Sequence, residues 1–520
     1  MIKLTFQDLV VVAVALSVGG LHLYARRKNR RLPPGPKGYP VIGNVFDMPA
    51  SQSWKTFAKW GERYGGIMSI TLLGQPFIIL NDPAVATEIL DRRGNNYADR
   101  PTFEMASLAG WDRVLSRLET SSPEIFSCGN FTYIGQRSIR PKVTFLCCRV
   151  IGTRGSMEKF YPVEEYQGNM FLKRVLEDPV AFESATRKSA AAMVLQLTYG
   201  YKIEEKGSDP FVDLADKGMA EFSEIMRPGA FLIEVLPILK YVPSWFPGAN
   251  FKRLAEKYNH SCDELAEVPL AYAQGQAASS YTADLLGQPE LTAQKYFDIK
   301  WSAASFYSAG SDTTVSVVTA YFLAAAIYPH IQEKAQTEMD EVVGQNRLPT
   351  FDDRVSLPYI DALCKELCRW LPVVPLAAPH RAMKDDMYGD YFIPKDAFVI
   401  PNIWKFLHDP AIYRDPFLFN PDRFLGPNPE PHPADMGLFG YGRRICPGIH
   451  LADVSVWISV AKAVAGLTIS RAMDDHGKPI DPIADVTDGI VSRPLPFKCI
   501  VKPRSEQVLK MVHEATSNML

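Results

Sequence analysis

The chain has 520 residues, 47% of them hydrophobic and 22% charged, as expected of a globular protein with a large core. A formal net charge of −2 removes the basic footprint that a nucleic-acid-binding protein carries. Eight cysteines in so long a chain do not make a disulfide framework, so a reducing compartment is expected.

At the N-terminus, Leu9 to Tyr24 is nearly free of charge, and with Leu4 to Phe6 it is just long enough to span a bilayer as a helix. Arg26-Arg27-Lys28-Asn29-Arg30-Arg31 follows. A cleaved signal peptide carries its charge before the apolar run and small residues after it. The reverse order here predicts an uncleaved transmembrane anchor over residues 1–25, with the basic cluster and everything after it on the cytoplasmic side. Residues 26–38 include Leu32-Pro33-Pro34-Gly35-Pro36 and read as a basic, proline-rich, semi-rigid linker.

Residues 39–520 read as one body without internal repeats. Ile67 to Asn81 is β-patterned and predicts a small sheet, and Ile393 to Ile400 predicts a turn and strand. Helical periodicity prevails from about Phe211 onward, with the longest helix expected from about Thr292 to Tyr328. The fold class is therefore mainly α with a small β region, an α+β body. Leu115 to Arg149 is the exception. It has no clear period and holds Cys128, Cys147 and Cys148. No His or Cys lies at finger-like spacing from the Cys147-Cys148 pair, which argues against zinc.

Inside the long helix, Ala309-Gly310-Ser311-Asp312-Thr313-Thr314 is an odd choice. Gly costs about 1 kcal/mol in a helix interior relative to Ala, and Ser, Asp and Thr compete for backbone hydrogen bonds. A local rule broken in mid-helix is where function is expected. Glu366 and Arg369 lie three apart on one predicted helix face and can pair. The last constellation, Phe439-Gly440-Tyr441-Gly442-Arg443-Arg444-Ile445-Cys446-Pro447-Gly448, sets one cysteine in a glycine-rich, arginine-flanked loop before an apolar helical run. Glycines let a backbone approach a flat cofactor. Backbone N–H groups and a helix N-terminus favour a thiolate, and arginine offers donors to a carboxylate. A buried, inert thiol is the bland alternative.

That loop resembles the haem-binding signature of the cytochrome P-450 family, Phe-x-x-Gly-x-Arg-x-Cys-x-Gly, at every fixed position. The resemblance runs from about Pro33 to the C-terminus and implies the cytochrome P-450 fold preceded by the N-terminal transmembrane helix. It implies haem b as cofactor, with Cys446 the axial ligand of the iron and Phe439, Gly442 and Arg444 at the haem. Pro379-His380-Arg381 sits where the family places a basic residue on a haem propionate, Arg381 being the first choice and His380 the alternate. Asp312 and Thr313 match the family's distal-helix motif. By resemblance Thr313 supports oxygen activation and Asp312 helps relay protons. Glu366, Arg369 and Arg423 match the structural Glu–Arg–Arg triad. Phe306, Ala309, Val373, Val374, Leu376 and Ile490 are candidates for the substrate pocket. The family's Trp-x-x-x-Arg helix has no convincing counterpart between Leu115 and Arg149, which suggests a mispredicted intron or frame error there; Arg137 or Arg140 would otherwise have to substitute.

The function implied is a haem-thiolate monooxygenase of the endoplasmic reticulum membrane, its catalytic domain facing the cytoplasm. No Gly-x-Gly-x-x-Gly site is visible, so electrons are expected from NADPH–cytochrome P-450 reductase, with cytochrome b5 a second donor. The whole pattern looks most like fungal members that tailor secondary metabolites, implying an apolar terpenoid, polyketide or alkaloid-like substrate. Two alternatives stand beside it: an O2-independent haem-thiolate isomerase or dehydratase, and a non-catalytic haem-binding membrane protein.

Overall fold

The computed structural model describes residues 31–114, 150–227, 230–234, 236–276 and 280–517, and the backbone of the hairpin strands Ile125–Cys128 and Phe131–Ile134. The expected anchor at 1–25, the start of the linker, and most of 115–149 with Arg137 and Arg140 lie outside the described residues.

The longer elements, in chain order, are α1 (Ser53–Tyr64), β1 (Ile67–Leu72), β2 (Gln75–Leu80), α2 (Tyr161–Glu177), α3 (Phe182–Tyr199), α4 (Pro210–Ile225), α5 (Asn250–Gln274), α6 (Ala293–Ile327), α7 (Pro329–Val342) and α8 (Pro358–Trp370). They continue with β3 (His380–Arg381), β4 (Phe398–Pro401), α9 (Ile449–Gly466), β5 (Leu467–Arg471), β6 (Cys499–Pro503) and α10 (Glu506–Ser517). The protein is thus mainly helical with small sheets. Helical structure begins well before Phe211. α3 in particular is buried around most of its circumference, so no polar stripe marks it in the sequence.

The longest helix, α6, starts where Thr292 Oγ1 accepts the Lys295 N–H at 3.2 Å, a side-chain N-cap. A helix apolar on all sides must be surrounded, and α6 runs through the core against α3 and α9. α6 and α9 are each long and apolar enough to cross a bilayer, yet each is 78% buried over its most apolar stretch and belongs to the core. Gly310 permits a close approach of α6 to α3, since a Cβ there would lie 2.7 Å from Val194 Cγ2.

One sheet has the order β1-β2-β4-β3. β1 and β2 form a hairpin, β2 runs parallel to β4 with Phe77 opposite Phe398, and β3 is antiparallel to β4 with His380 opposite Val399. β5 and β6 form a separate pair beyond α9. The first sheet brings β3 beside the loop that leads into α9, and Asp99 bridges to Arg381 at its edge.

Candidate functional site

The Phe439–Gly448 loop is folded on itself before α9. The Cys446 N–H donates to Phe439 O at 2.8 Å, Ile445 N–H to Gly442 O at 3.2 Å, and Ala452 N–H to Gly448 O at 2.8 Å. Gly442 has φ +54°, and a Cβ there would lie 2.4 Å from Leu90 O. Its N–H donates to Asp91 Oδ1. Gly442 therefore seats the loop against Thr87–Arg92 and is not in the cavity wall; Gly440 and Gly448 are the loop glycines that line it.

That cavity measures about 700 Å³ and has Cys446 in its wall. Burial pushes the Cys446 thiol above its ordinary range, with the Gly448 N–H pulling the other way. A cation on the sulfur reverses this, because coordination deprotonates a thiol outright. Among the described residues no three His, Cys, Asp or Glu side chains converge on a bare ion site. A metal at Cys446 would need further donors, as a macrocycle provides.

Arg100, His380 and Arg444 line the same cavity. Arg444 donates Nε–H to Ala98 O at 2.6 Å, and burial pulls its pKa down to about 10. Arg100 donates to Ala378 O at 2.5 Å and Pro379 O at 2.9 Å. His380 Nδ1 lies 2.7 Å from Tyr97 O, and burial, then the Arg100 charge, push its pKa well below the usual imidazole value. The wall also carries Arg154, Arg354, Lys365 and Arg443 against Asp361 and Asp453, so cationic side chains outnumber anionic ones in a mostly apolar surface, an imbalance that suits an anionic group beside the buried Arg100, Arg444 and His380. Haem, with its carboxylates and an iron for Cys446, meets both demands.

Arg381 does not join this set. Its guanidinium pairs with Asp99 and lies 3.9 Å from Asp396. Successive strand residues face opposite sides, so with His380 in the cavity Arg381 is turned out of it. Arg100 escaped the sequence reading because nothing local marks it. It reaches the site through the Asp99–Arg381 bridge, a long-range pairing.

The same division separates Asp312 from Thr313. Thr313 lines the cavity and donates its hydroxyl to Ala309 O at 3.0 Å. Asp312, 3% exposed, lies outside it and pairs with Arg493, with Arg187 Nη1 at 3.8 Å. Consecutive helix residues are about 100° apart, so one faces the cavity and the other the packed side.

Among the apolar candidates, Phe306, Ala309, Val373, Val374 and Ile490 line the cavity. Leu376 packs instead against the Phe57, Met68, Ile70 and Ile79 cluster beneath the sheet. Met219, Phe222 and Met226 of α4 and its C-cap were missed; their i, i+3, i+7 spacing was the available signal. Trp111 and Val114 complete that side.

Glu366, Arg369 and Arg423 meet away from the cavity. Glu366 accepts from Arg369 Nε at 2.7 Å and Nη2 at 2.8 Å, and from Arg423 Nε at 3.2 Å. Arg369 also donates to Leu407 O at 2.9 Å and Pro416 O at 2.7 Å, while Arg423 pairs with Glu430 at 2.7 Å. The cluster ties α8 to the segment that leads toward the cysteine loop.

A family model described as "Cytochrome P450" matches residues 33–113 and 184–501. The break between the two spans contains the irregular 115–149 stretch. The chain is 44% identical over 507 residues to "Cytochrome P450 monooxygenase 208" of Postia placenta, covering 95% of each chain. It is 38% identical to "Cytochrome P450 monooxygenase claR" of Ampulloclitocybe clavipes, covering 98% of this chain and 94% of the relative. It is 36% identical to "Cytochrome P450 monooxygenase CLM2" of Gibberella zeae, covering 97% and 95%.

Proposed function

The chain belongs to the cytochrome P450 family and is a haem-thiolate monooxygenase, and from that premise we propose that Cys446 would hold the haem iron and that the cavity it lines takes an apolar metabolite. The observation that carries this reading is the placement of the Cys446 thiol, three cationic or ionisable donors and the Thr313 hydroxyl on one cavity of about 700 Å³.

Haem b, when bound, would supply an iron centre capable of O2 activation. Cys446 holds the metal, and its backbone bond to Phe439 O keeps the sulfur aimed into the cavity. Arg100, Arg444 and His380 hold the two carboxylates, and a negative charge beside His380 favours its protonated ring. Phe439 and Gly440 form the adjacent wall. The apolar side, from Phe306 and Ala309 through Val373, Val374 and Ile490 to Met219 and Phe222, excludes water and orients a hydrocarbon surface. Thr313, its hydroxyl anchored on Ala309 O, presents a hydroxyl group at the cavity wall for proton handling. Asp312 supplies protons from behind it, and Glu366, Arg369 and Arg423 keep the cysteine loop in place.

The remaining assignments extend this reading. Residues 1–25 anchor the protein in the endoplasmic reticulum membrane through the 26–38 linker, with 39–520 as the catalytic domain in the cytoplasm. Electrons come from NADPH–cytochrome P-450 reductase, assisted by cytochrome b5. The substrate in this reading is an apolar secondary metabolite, as the sequence pattern implies. The irregular 115–149 stretch coincides with the break in the family match, consistent with a gene-model error; a cDNA encoding those residues unchanged would remove that explanation.

The test is the reduced, CO-bound spectrum of the purified protein. It should show the red-shifted Soret band of thiolate ligation and lose it in Cys446→Ala. Survival of the band in that variant refutes the ligand assignment, and product formation without consumption of O2 and NADPH refutes the oxygenase reading.

A further inference from the structure

Asp312 is turned from the cavity, and what it meets there is a junction of four elements. Its carboxylate, on α6, pairs with the guanidinium of Arg493, which belongs to the loop between Asp485 and Leu495. Arg187 of α3 lies 3.8 Å from the same Asp312 oxygen and 3.6 Å from Asp216 of α4. Asp312 Oδ2 and Arg493 Nε have no hydrogen-bond partner among the described residues. The pair thus holds a buried carboxylate against a half-buried guanidinium without satisfying Asp312 Oδ2 or Arg493 Nε, a costly arrangement for the buried charge.

The Arg493 loop is closed on itself. Thr487 N–H donates to Arg493 O at 2.8 Å, Arg493 N–H to Thr487 Oγ1 at 3.1 Å, and Leu495 N–H to Asp485 O at 2.9 Å. Its tip carries Ile490 and Val491, both in the cavity wall, and Ser492 N–H donates to the carbonyl of Val373, another wall residue. A loop cross-linked in this way moves as a body. Any force on Ile490 or Val491 is therefore transmitted to the Arg493 guanidinium and from it to Asp312. Asp312 is the immediate neighbour of Thr313, which lines the cavity.

We propose that Arg493 is a positioning residue: it ties the cavity-facing loop at Ile490 and Val491 to Asp312, so that an apolar ligand packed against the loop fixes the Asp312 carboxylate next to Thr313. This deepens the monooxygenase reading and rests on it. The apolar contacts that set substrate fit thereby also set the orientation of the group behind Thr313, and α4 is drawn in through Arg187 and Asp216. Substrates that leave Ile490 and Val491 uncovered leave Asp312 less ordered.

Coupling of this kind is reciprocal: if ligand contact orders the pair, the pair strengthens ligand binding. The experiment uses the haem-loaded protein and two azoles that ligate iron, an extended one (ketoconazole) and a compact one (4-phenylimidazole), each titrated by its Soret shift. Arg493→Gln and Asp312→Asn should each weaken ketoconazole binding by about tenfold, within the usual range of coupling energies. The double variant should be no weaker than either single one, and Arg493→Lys should recover part of the loss. The compact azole should bind all four alike. Hydrogen–deuterium exchange supplies a readout independent of activity. Ketoconazole should protect both 485–495 and 184–188, the turn of α3 that carries Arg187 and does not line the cavity, in the wild type, and only 485–495 in Arg493→Gln. Unchanged ketoconazole affinity in either single variant, additive losses, or equal losses for both azoles would overturn the proposal. If the variants and the wild type alike lack the thiolate CO spectrum, it is the haem-thiolate reading that fails.

Discussion

Glu366→Ala removes the one carboxylate shared by two interior guanidiniums. Arg423 keeps Glu430 at 2.7 Å, so the stranded charge is Arg369, whose side chain is fully buried. The remaining acceptors of Arg369 are main-chain carbonyls at Leu407, Pro416 and Leu418, which solvate a cation without neutralising it. The Asn420 N–H loses its acceptor as well, at 2.8 Å in the intact protein. Removing one member of a buried pair costs about 3–5 kcal/mol. Against a total stability of about 5–15 kcal/mol that is a large share. At about 1.4 kcal/mol per factor of ten, it lowers the folded-to-unfolded ratio by roughly two to four orders of magnitude. The assay is loss of the thiolate CO spectrum along a urea gradient, compared with wild type at equal haem loading. Replacing Glu366 and Arg369 together by Leu and Met should cost less than Glu366→Ala alone, because no charge is then stranded. A Glu366→Ala midpoint equal to wild type, or a double variant worse than the single, would refute this account.

Other outcomes follow from the same geometry. Arg100→Ala should lower the haem-to-protein ratio several-fold, since a charged hydrogen bond is worth about 1.5–3 kcal/mol, while Arg381→Ala should leave that ratio near wild type; the reverse pattern would restore Arg381 to the site. Gly310→Ala should destabilise the protein by about 1 kcal/mol net: overpacking against Val194 costs about 1–3 kcal/mol, more than the helix-propensity gain of about 1 kcal/mol returns. Adding Val194→Ala should recover it in thermal or urea melts. Glu164 is fully buried, accepts only the Ser455 hydroxyl, at 3.0 Å, among the described residues, and has its carboxyl pushed by burial from 4.5 up to about 8. The folded state keeps a proton that the unfolded chain releases above its ordinary value, so stability falls as pH rises from 4.5 to about 8 and then levels off. The loss is of order 5 kcal/mol at about 1.4 kcal/mol per unit. Glu164→Gln should abolish that slope, matching wild type near the acid end and exceeding it at the alkaline end of a denaturation series.

How far the site was legible depended on what each residue needs from its neighbours. The cysteine loop was readable because its chemistry is local: a thiol, the glycine turns around it and the following helix are contiguous. The Glu366–Arg369 contact was readable because helical spacing alone brings i and i+3 together. The α6 span was readable because a long apolar run with a Thr cap has few other ways to fold. Arg100 and Met219 were not singled out, since their proximity to Cys446 is created by the sheet edge and by α4 folding over the cavity. Gly442 was assigned to the cofactor for its freedom, when Leu90 and Asp91 supply the close approach that requires it.

The contiguous motifs carried the resemblance that named the family, the ligand candidate and the helix opposite it, and periodicity bounded that helix. Facing was decided only by the tertiary structure. Neighbours in a strand point to opposite sides and neighbours in a helix diverge by about 100°. Whether His380 or Arg381, Thr313 or Asp312, Val374 or Leu376 reaches the cavity therefore depends on how each element is rotated by its packing. That rotation is set by residues far away in the chain, such as Asp99 against Arg381 and Arg493 against Asp312, and no local stretch of sequence contains both partners.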